Sequence, residues 1–586
     1  MSETKHKVIS KGLISRILGY TKPYRGLFVV AVLLTLILSS LAIVRPLLIS
    51  YALNESVVED RDLGLLNTLC LVMLASLVLE AMLQVINTRI TNLLGQNIVR
   101  DVRNQVYNHV LRLRSTYFDN TPVGTLVTRN ISDVESLSEM FSQGFIVIAG
   151  DLVMLMVFIA AMFSKNWLLA LVALSTIPLL FVATALFKKG VKKTFTQVRN
   201  AVSALNTFTQ EHITGMRLVQ LFNREKTEYE KFREINRQHR TANIRSIFYY
   251  SIFFPVVEIL SSFSIALIIW FGGLKGNAYN ISLGDITFFV MMVNMLFRPI
   301  RMLADRLNTL QMGFVAAERV FKVIDTDEKI PDKGSREFTG VTYRVEFKNV
   351  WFAYRKDHFV LQDVSFSIRA GETVALVGAT GAGKSTVINL LSRFYDLTRG
   401  DITIDDVSIR DYTLDSLRQN TGVVLQDVYM FNDSVLNNIT LSNPDITYEM
   451  VEKAAEEMGL LDYIKSLSGG FSYRVTERGQ SLSAGQKQLI AFIRAYVYQP
   501  SLFILDEATA TIDTRTEQLI QKAVDRIAEG RTSIIIAHRL STIRHVNRVL
   551  VFDAGKIVEQ GTVADLLAGD TRFRKLYELQ RAELLD

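Results

Sequence analysis

A glycine-rich loop that runs into lysine and serine is the strongest chemical signal in this sequence. The loop reads GATGAGKST and comprises Gly378, Ala379, Thr380, Gly381, Ala382, Gly383, Lys384, Ser385 and Thr386. Its glycines allow backbone N–H groups to converge on phosphates at a helix N-terminus, while the lysine reaches the β- and γ-phosphates and the serine hydroxyl binds Mg²⁺. A short apolar strand precedes the loop and an apolar helical pattern follows it. The segment therefore predicts a site for MgATP.

Two consecutive carboxylates end a second apolar strand. Residues 502–505 read LFIL, and Asp506 and Glu507 follow at once. Adjacent acids at a strand end suit a reaction in which one holds Mg²⁺ and the next polarises a water for attack on the γ-phosphate. Asp506 is the candidate metal ligand and Glu507 the candidate general base, with a solvated strand end as the alternative for Glu507. His538, after the apolar run 533–537, is a candidate to orient the water and the γ-phosphate, although a lone histidine is more often structural.

These motifs occupy the last part of a chain with two different compositions. The 586 residues exceed one domain, and 49% hydrophobic with 21% charged residues fits neither a soluble enzyme nor a wholly membrane-embedded chain. From about residue 343, short β-rich runs alternate with amphipathic helical patterns, which indicates an α/β domain. The sequence therefore predicts a multidomain protein with an N-terminal cytoplasmic elbow segment (1–25), a transmembrane domain (26–320), a linker (321–342) and a nucleotide-binding domain (343–586).

The elements that precede this domain are long apolar stretches. Each can supply the ~20 residues that cross a hydrocarbon core of ~30 Å, and they lie near residues 27–51, 65–94, 144–163, 167–187, 248–274 and 286–297. Helical spacing continues between them, so the helices are expected to extend beyond the bilayer and to turn at short tips near 119–124 and 212–215. The prediction is an all-α transmembrane domain of six long helices; a soluble coiled coil is the alternative that the apolar stretches disfavour.

Charge sets the expected orientation of these helices. Arginine and lysine concentrate after the second and fourth apolar stretches, whereas the connection between the first two is acidic. The positive-inside rule then places those basic loops, both termini and the α/β domain in the cytoplasm of a cell whose inner membrane the chain crosses. The same clusters account for the net charge of +7 without nucleic acid as a partner. The single cysteine, Cys70, excludes an intrachain disulfide framework.

Taken together, the motifs resemble an ATP-binding cassette half-transporter of the exporter type, over nearly the whole chain. The resemblance implies that Tyr354 stacks on adenine and that Gln426, in VLQD, joins the Mg²⁺ site to the membrane domain. The LSAGQ segment is similar to the family signature, which is implied to contact the γ-phosphate of ATP held by the other cassette. The implied nucleotide-binding set thus also includes Ser483, Ala484, Gly485, Gln486 and Asp513.

Because the signature completes a site on another cassette, the resemblance implies a dimer that ATP closes and hydrolysis releases. Coupling helices at the two tips, around 117–121 and 212–215, would then convert inward-facing into outward-facing membrane helices. The signature alanine, the TERG segment at 476–479 and the ATATID segment that ends at Asp513 resemble the B-type half of bacterial heterodimeric multidrug-resistance-like exporters. These variants favour a heterodimer slightly over a homodimer.

The predicted function is ATP-driven export or flipping of amphipathic substrates, such as drugs or lipids, with membrane lipids as neighbours. Aromatic and methionine side chains suit such substrates, or alternatively face lipid and partner helices: Phe158, Phe254, Phe263, Met291, Met292 and Met295. Glu80 and Glu258 lie in membrane runs, where one is expected to face a cavity or an extended cytoplasmic helix. An ATP-regulated channel and a non-transporting ATPase module are the alternatives; the intact Glu507 disfavours the first and the six apolar stretches disfavour the second.

Overall fold

A computed structural model describes residues 11–59, 63–276, 278–355, 358–506, 514–537, 543 and 545–583. These residues form two compact units. The first contains the described residues of Met1–Leu111 and Val123–Thr326, and the second contains those of Arg112–Pro122 and Asp327–Asp586.

Helices build the whole of the first unit. With α4, which belongs to the second unit, they are α1 (Lys11–Gly19), α2 (Arg25–Tyr51), α3 (Leu63–Val110), α4 (Ser115–Asn120), α5 (Val123–Thr128), α6 (Val134–Glu139), α7 (Ile146–Lys165), α8 (Trp167–Leu174), α9 (Ile177–Thr214), α10 (Met216–Leu221), α11 (Glu225–Lys275) and α12 (Leu283–Ile324). Among the described residues, six helical stretches are long and apolar enough to cross a membrane, namely Lys22–Glu55, Leu63–Val110, Val123–Lys165, Trp167–Thr214, Glu225–Lys275 and Leu283–Ile300. The predicted all-α transmembrane domain of six long helices is confirmed.

The longest helices exceed any bilayer. Helix α11 has 51 residues, and at 1.5 Å per residue it spans about 76 Å, against about 30 Å for a hydrocarbon core. Two short tip helices, α4 and α10, follow the extensions of α3 and α9. The predicted second tip is displaced, since α9 continues to Thr214 and Gly215 precedes the first residue of α10. The tip helix therefore lies after residues 212–215, not across them.

At the helix ends away from these extensions, side chains cap the helices. Asn166 lies between α7 and α8, and its side chain accepts hydrogen bonds from the amides of Leu168 and Leu169, both at 3.1 Å. At the start of α12, Ser282 and Asp285 form a reciprocal capping box. Such caps satisfy amides that a helix leaves unpaired, so they allow an abrupt reversal of the chain.

The end of α12 is anchored within the first unit by α1. Arg16 donates two hydrogen bonds to the Asp325 carboxylate, at 2.6 and 2.8 Å, and the Tyr20 ring stacks on Phe321 with centroids 6.0 Å apart. Helix α12 ends at Ile324, so the helix runs four residues into the segment predicted as linker from residue 321. The apolar residues at this end of α12 pack in a core with α1 and α3, which is why the helix continues.

The second unit is an α/β domain. Its remaining elements are β1 (Arg344–Arg355), β2 (His358–Arg369), β3 (Thr373–Gly378), α13 (Lys384–Leu391), β4 (Arg399–Ile404), β5 (Val407–Ser408), α14 (Leu414–Gln419), β6 (Thr421–Val424), α15 (Val435–Thr440), α16 (Tyr448–Glu457), α17 (Leu461–Ser466), α18 (Ala484–Val497), β7 (Leu502–Asp506), α19 (Thr514–Ala528), β8 (Thr532–Ile536), β9 (Arg548–Asp553), β10 (Lys556–Gly561), α20 (Val563–Ala568) and α21 (Arg572–Glu583). The predicted α/β domain after the helical domain is confirmed.

Two sheets organise this unit. One has the order β2-β1-β4-β5 and is antiparallel, and the other has the order β10-β9-β3-β8-β7-β6. In the second sheet β9, β3, β8, β7 and β6 are parallel, so their carboxyl ends meet at one edge. Every residue of β7 and β8 is buried, as expected for parallel strands covered on both faces. That edge is where the predicted catalytic segments begin.

Candidate nucleotide-binding site

Strand β3 delivers the glycine-rich loop at the carboxyl edge of the six-stranded sheet, between β9 and β8. The glycine-rich part of the loop ends at Gly383, which adopts a left-handed φ of 103°, and α13 begins at Lys384. Ser385 is exposed in the first turn of that helix, whereas Thr386 is buried. The loop amides and the helix N-terminus therefore lie where a phosphate group can accept their hydrogen bonds.

Lys384 is held inside this loop. Its side chain is buried, and Nζ donates hydrogen bonds to the carbonyl oxygens of Gly378 at 2.7 Å and Ala379 at 3.0 Å. Burial lowers the pKa of Lys384, and the negative charge of Asp506 opposes that shift. The ammonium group is thus already desolvated beside the loop, which strengthens its attraction to a phosphate.

The acidic and amide groups predicted to hold Mg²⁺ lie at the same sheet edge as the loop. Asp506 is the last residue of β7 and is 8% exposed. Gln426 is exposed two residues after β6, the strand that pairs with β7 in parallel. Glu507, Asp513 and His538 lie outside the described residues, although β7 ends directly before Glu507 and β8 ends two residues before His538. The strands thus place Asp506 and Gln426 at the sheet edge that also carries the phosphate loop.

Tyr354 is the residue predicted to stack on adenine. It is 40% exposed, and its hydroxyl lies 3.3 Å from Thr386 Oγ1 and accepts a hydrogen bond from Asn389 at 3.1 Å. The edges of Phe352 and Tyr395 meet its ring at interplanar angles of 87°. These contacts fix the ring beside α13, the helix that begins in the phosphate loop.

Tyr395 is a residue that the sequence did not single out. Its hydroxyl donates a hydrogen bond of 2.7 Å to Asp119 of α4, while its ring contacts Tyr354 with centroids 5.1 Å apart. Burial and the nearby Asp119 carboxylate raise the pKa of Tyr395. One side chain therefore contacts both the predicted adenine-binding ring and the first tip helix, within the second unit.

The signature segment forms the N-terminus of α18. The Ser483 hydroxyl accepts a hydrogen bond from the Gln486 amide at 3.3 Å, and the Gln486 side chain accepts one from the Ser483 amide at 2.9 Å. Ser483 and Ala484 are exposed and Gly485 is buried. Helix α18 packs in a different hydrophobic core from the phosphate loop. Its exposed N-terminus is a surface that a second cassette can approach.

The first unit contains a cavity of about 630 Å³ between α2, α3, α7 and α12. The six aromatic and methionine residues named above as a substrate lining do not line it; Phe158 and Met292 are buried in the helix core, and Phe254 and Phe263 are about half exposed. Glu80 does line it, as predicted for one of the two membrane glutamates. Its carboxylate accepts a hydrogen bond of 2.5 Å from Arg45.

Two family models match the chain, one in the helical unit and one in the α/β unit. The ABC transporter transmembrane region matches residues 28–300, and the ABC transporter domain, which binds ATP, matches residues 361–510.

Two bacterial relatives align along almost the entire chain. An uncharacterized ABC transporter ATP-binding protein of Bacillus subtilis, YknV, is 35% identical over 97% of this chain and 95% of its own length. An ATP-dependent lipid A-core flippase of Syntrophus aciditrophicus is 33% identical over 97% of this chain and 95% of its own length. Among solved structures, a bacterial Atm1-family ABC exporter with ATP bound has a TM-score of 0.79 and 27% identity, covering 95% of this chain and 98% of that one.

Proposed function

The chain belongs to the ABC transporter family as a half-transporter of the exporter type, and we propose that it exports or flips amphipathic molecules, such as drugs or lipids, across the cytoplasmic membrane by alternating access. It is a multi-pass membrane protein that binds ATP and couples its hydrolysis to transport. One observation carries the proposal: the same chain contains six helices able to span a membrane and a phosphate-binding loop. The flippase name of one relative supports a lipid as substrate.

In the proposed site, different residues of this chain bind the phosphates, the adenine and the Mg²⁺ of MgATP. The loop amides and Lys384 bind the phosphates, and Tyr354 stacks on adenine. Ser385, Gln426 and Asp506 would hold Mg²⁺, which would neutralise charge on the phosphates. Their exposed hydroxyl, amide and strand-end carboxylate are oxygen donors of the kind Mg²⁺ prefers.

The hydrolytic step is assigned to two residues that follow the ends of parallel strands. Glu507 accepts a proton from the attacking water, and His538 orients that water and the γ-phosphate. Asp513 and the signature residues Ser483, Ala484, Gly485 and Gln486 act at the interface between two cassettes. The exposed N-terminus of α18 supports this role, since an exposed surface is what a partner's nucleotide would need to contact.

The proposed assembly is a heterodimer, because Ala484 and the segments at 476–479 and 508–513 resemble one half of paired exporters. Its cassettes and both termini lie in the cytoplasm, on the side of the basic loops. Purifying this chain alone and with a co-expressed neighbouring half-transporter tests the assembly. Full MgATP turnover by a dimer of this polypeptide alone would replace the heterodimer with a homodimer.

Replacing Glu507 with Gln tests the proposed function directly. In proteoliposomes, phosphate release by Glu507→Gln should fall by about 100-fold or more, while ATP stays bound between closed cassettes. Glu529→Gln is the matched control, since Glu529 is an exposed carboxylate at the end of α19 that pairs with Arg526. If Glu507→Gln released phosphate at the wild-type rate, Glu507 would not be the base. If ATP moved no amphiphile across the bilayer, export itself would be wrong.

A further inference from the structure

The cavity between α2, α3, α7 and α12 has charged side chains in its wall, although these helices belong to a membrane domain. We call it the charge-lined cavity, and its ionisable lining residues are Arg45, Glu80, Asp151, Arg298 and Arg306. Three guanidinium groups thus face two carboxylates. Charged side chains are costly inside a bilayer, and they are usually found where a function requires them.

Both carboxylates of the cavity are paired with cations. Glu80 accepts its hydrogen bond from Arg45, at 2.5 Å, and Asp151 forms an ion pair with Arg306. The Asp151 and Arg306 side chains are 12% and 23% exposed, so this pair is largely desolvated. Since each carboxylate is already neutralised, the lining offers little attraction to a cationic ligand.

Arg298 supplies the excess positive charge. Its side chain is exposed at the cavity wall, and no described residue forms a hydrogen bond or ion pair with it. In addition, Arg45 Nε is buried without a hydrogen-bond partner among the described residues. Guanidinium groups match phosphate and carboxylate oxygens geometrically, because their N–H groups form a planar fork.

The cavity also has a defined depth. Arg298 and Arg306 lie about 22 and 34 Å along α12 from its first residue, at 1.5 Å per residue. Against a hydrocarbon core of about 30 Å that starts at Leu283, Arg298 falls in the half nearer the long helical extensions, and Arg306 lies just beyond the core on that side. Apolar lining residues, Leu38, Leu77, Met154 and Met302, lie beside the charges. A ligand with an anionic head and an apolar tail satisfies both kinds of surface.

We propose that the charge-lined cavity binds the phosphate- or carboxylate-type head of an anionic amphiphile, with Arg298 as its direct ligand. The two ion pairs hold Arg45 and Arg306 at the wall, where their remaining N–H groups face the same head. This inference rests on the proposed export function and names its substrate class.

Direct binding tests the inference without ATP. The full-length chain in nanodiscs is titrated with ³²P-labelled dodecyl phosphate in a scintillation proximity assay, with empty nanodiscs subtracted. Unlabelled dodecyl phosphate should compete, whereas dodecyl maltoside and dodecyltrimethylammonium should compete at least about ten-fold more weakly. Inorganic phosphate, which has the head without the tail, should also compete weakly. Equal competition by the cationic or the neutral amphiphile, or by inorganic phosphate, would overturn the proposal.

Three variants locate the site. Arg298→Gln should weaken dodecyl phosphate binding by about ten-fold or more, because it removes a charge-assisted contact, whereas Arg298→Lys, which keeps the charge but not the planar fork, should weaken it less. Arg245→Gln is the matched control, because it removes one positive charge from an exposed position of α11 outside the cavity. Wild-type binding by Arg298→Gln, or equal losses in both Arg298 variants, would contradict the assignment. If the Arg298 assignment failed but the protein still transported a neutral amphiphile, only this inference would be wrong and the proposed export function would remain supported.

Discussion

Two glycines of the phosphate loop should respond differently to the same substitution. Gly378 and Gly381 both have positive φ, 153° and 84°. A Cβ on Gly378 would lie 2.2 Å from the backbone oxygen of Phe552, in the paired strand β9, whereas a Cβ on Gly381 meets nothing within 4 Å. Gly378→Ala therefore combines backbone strain with a steric overlap, and Gly381→Ala carries the strain alone.

The difference between the two variants isolates the overlap. Alanine held at a positive φ costs about 1 to 3 kcal/mol at either position. The overlap with a strand carbonyl, which cannot rotate away from its ladder, adds about 2 kcal/mol to the cost of Gly378→Ala. Because 1 kcal/mol shifts the unfolding midpoint by about 2 to 4 °C for a domain of this size, Gly378→Ala should unfold about 4 to 8 °C below Gly381→Ala.

Thermal unfolding of the full-length chain in nanodiscs measures this difference. Of the three tryptophans, Trp351 lies in β1 of the second unit and Trp167 and Trp270 lie in the first. In a Trp167→Phe, Trp270→Phe background, fluorescence therefore reports on the second unit alone. Equal midpoints for the two alanine variants, or a lower midpoint for Gly381→Ala, would refute the account of the loop geometry.

Three further substitutions test other contacts. Tyr354→Ala should raise the KM for ATP by about 2- to 12-fold through loss of about 0.5 to 1.5 kcal/mol of aromatic contact, with Tyr354→Phe as the control in the same ATPase assay. Tyr395→Phe removes the hydrogen bond to Asp119 but keeps the ring, so amide hydrogen exchange in α4 should rise about five-fold, for a loss of about 1 kcal/mol, while the KM for ATP stays unchanged. Arg16 lowers the pKa of Asp325 below its usual 3.8, so the stabilisation from this pair is present above that value and lost as the pH falls through the lower folded-state pKa. Arg16→Ala should therefore lower the unfolding midpoint near neutral pH and flatten its decline below about pH 4, and an unchanged pH profile would contradict this role.

The sequence alone was sufficient where structure depends on neighbouring residues. The strand, glycine-rich loop and helix around Lys384 could be predicted because phosphate-loop geometry is set within about a dozen residues. The membrane spans could be predicted for a similar reason, since one helix must satisfy its own backbone within the bilayer. The position of Asp506 at the end of a strand followed from the apolar run before it, whereas Gln426 was named only through the family resemblance, and the structure showed that it follows β6.

Contacts between distant segments needed the tertiary structure. Tyr395 and Asp119 are 276 positions apart, and Arg45 and Glu80 lie on different helices. Whether they meet depends on the rotation and register of each packed element, which hydrophobic periodicity does not specify to within one residue. The same reasoning applies to α12, which passes the predicted linker start because residues of α1 cover its end. Local chemistry thus identified an ATP-driven membrane protein, whereas only packing placed two carboxylates against three arginines and left Arg298 facing the cavity.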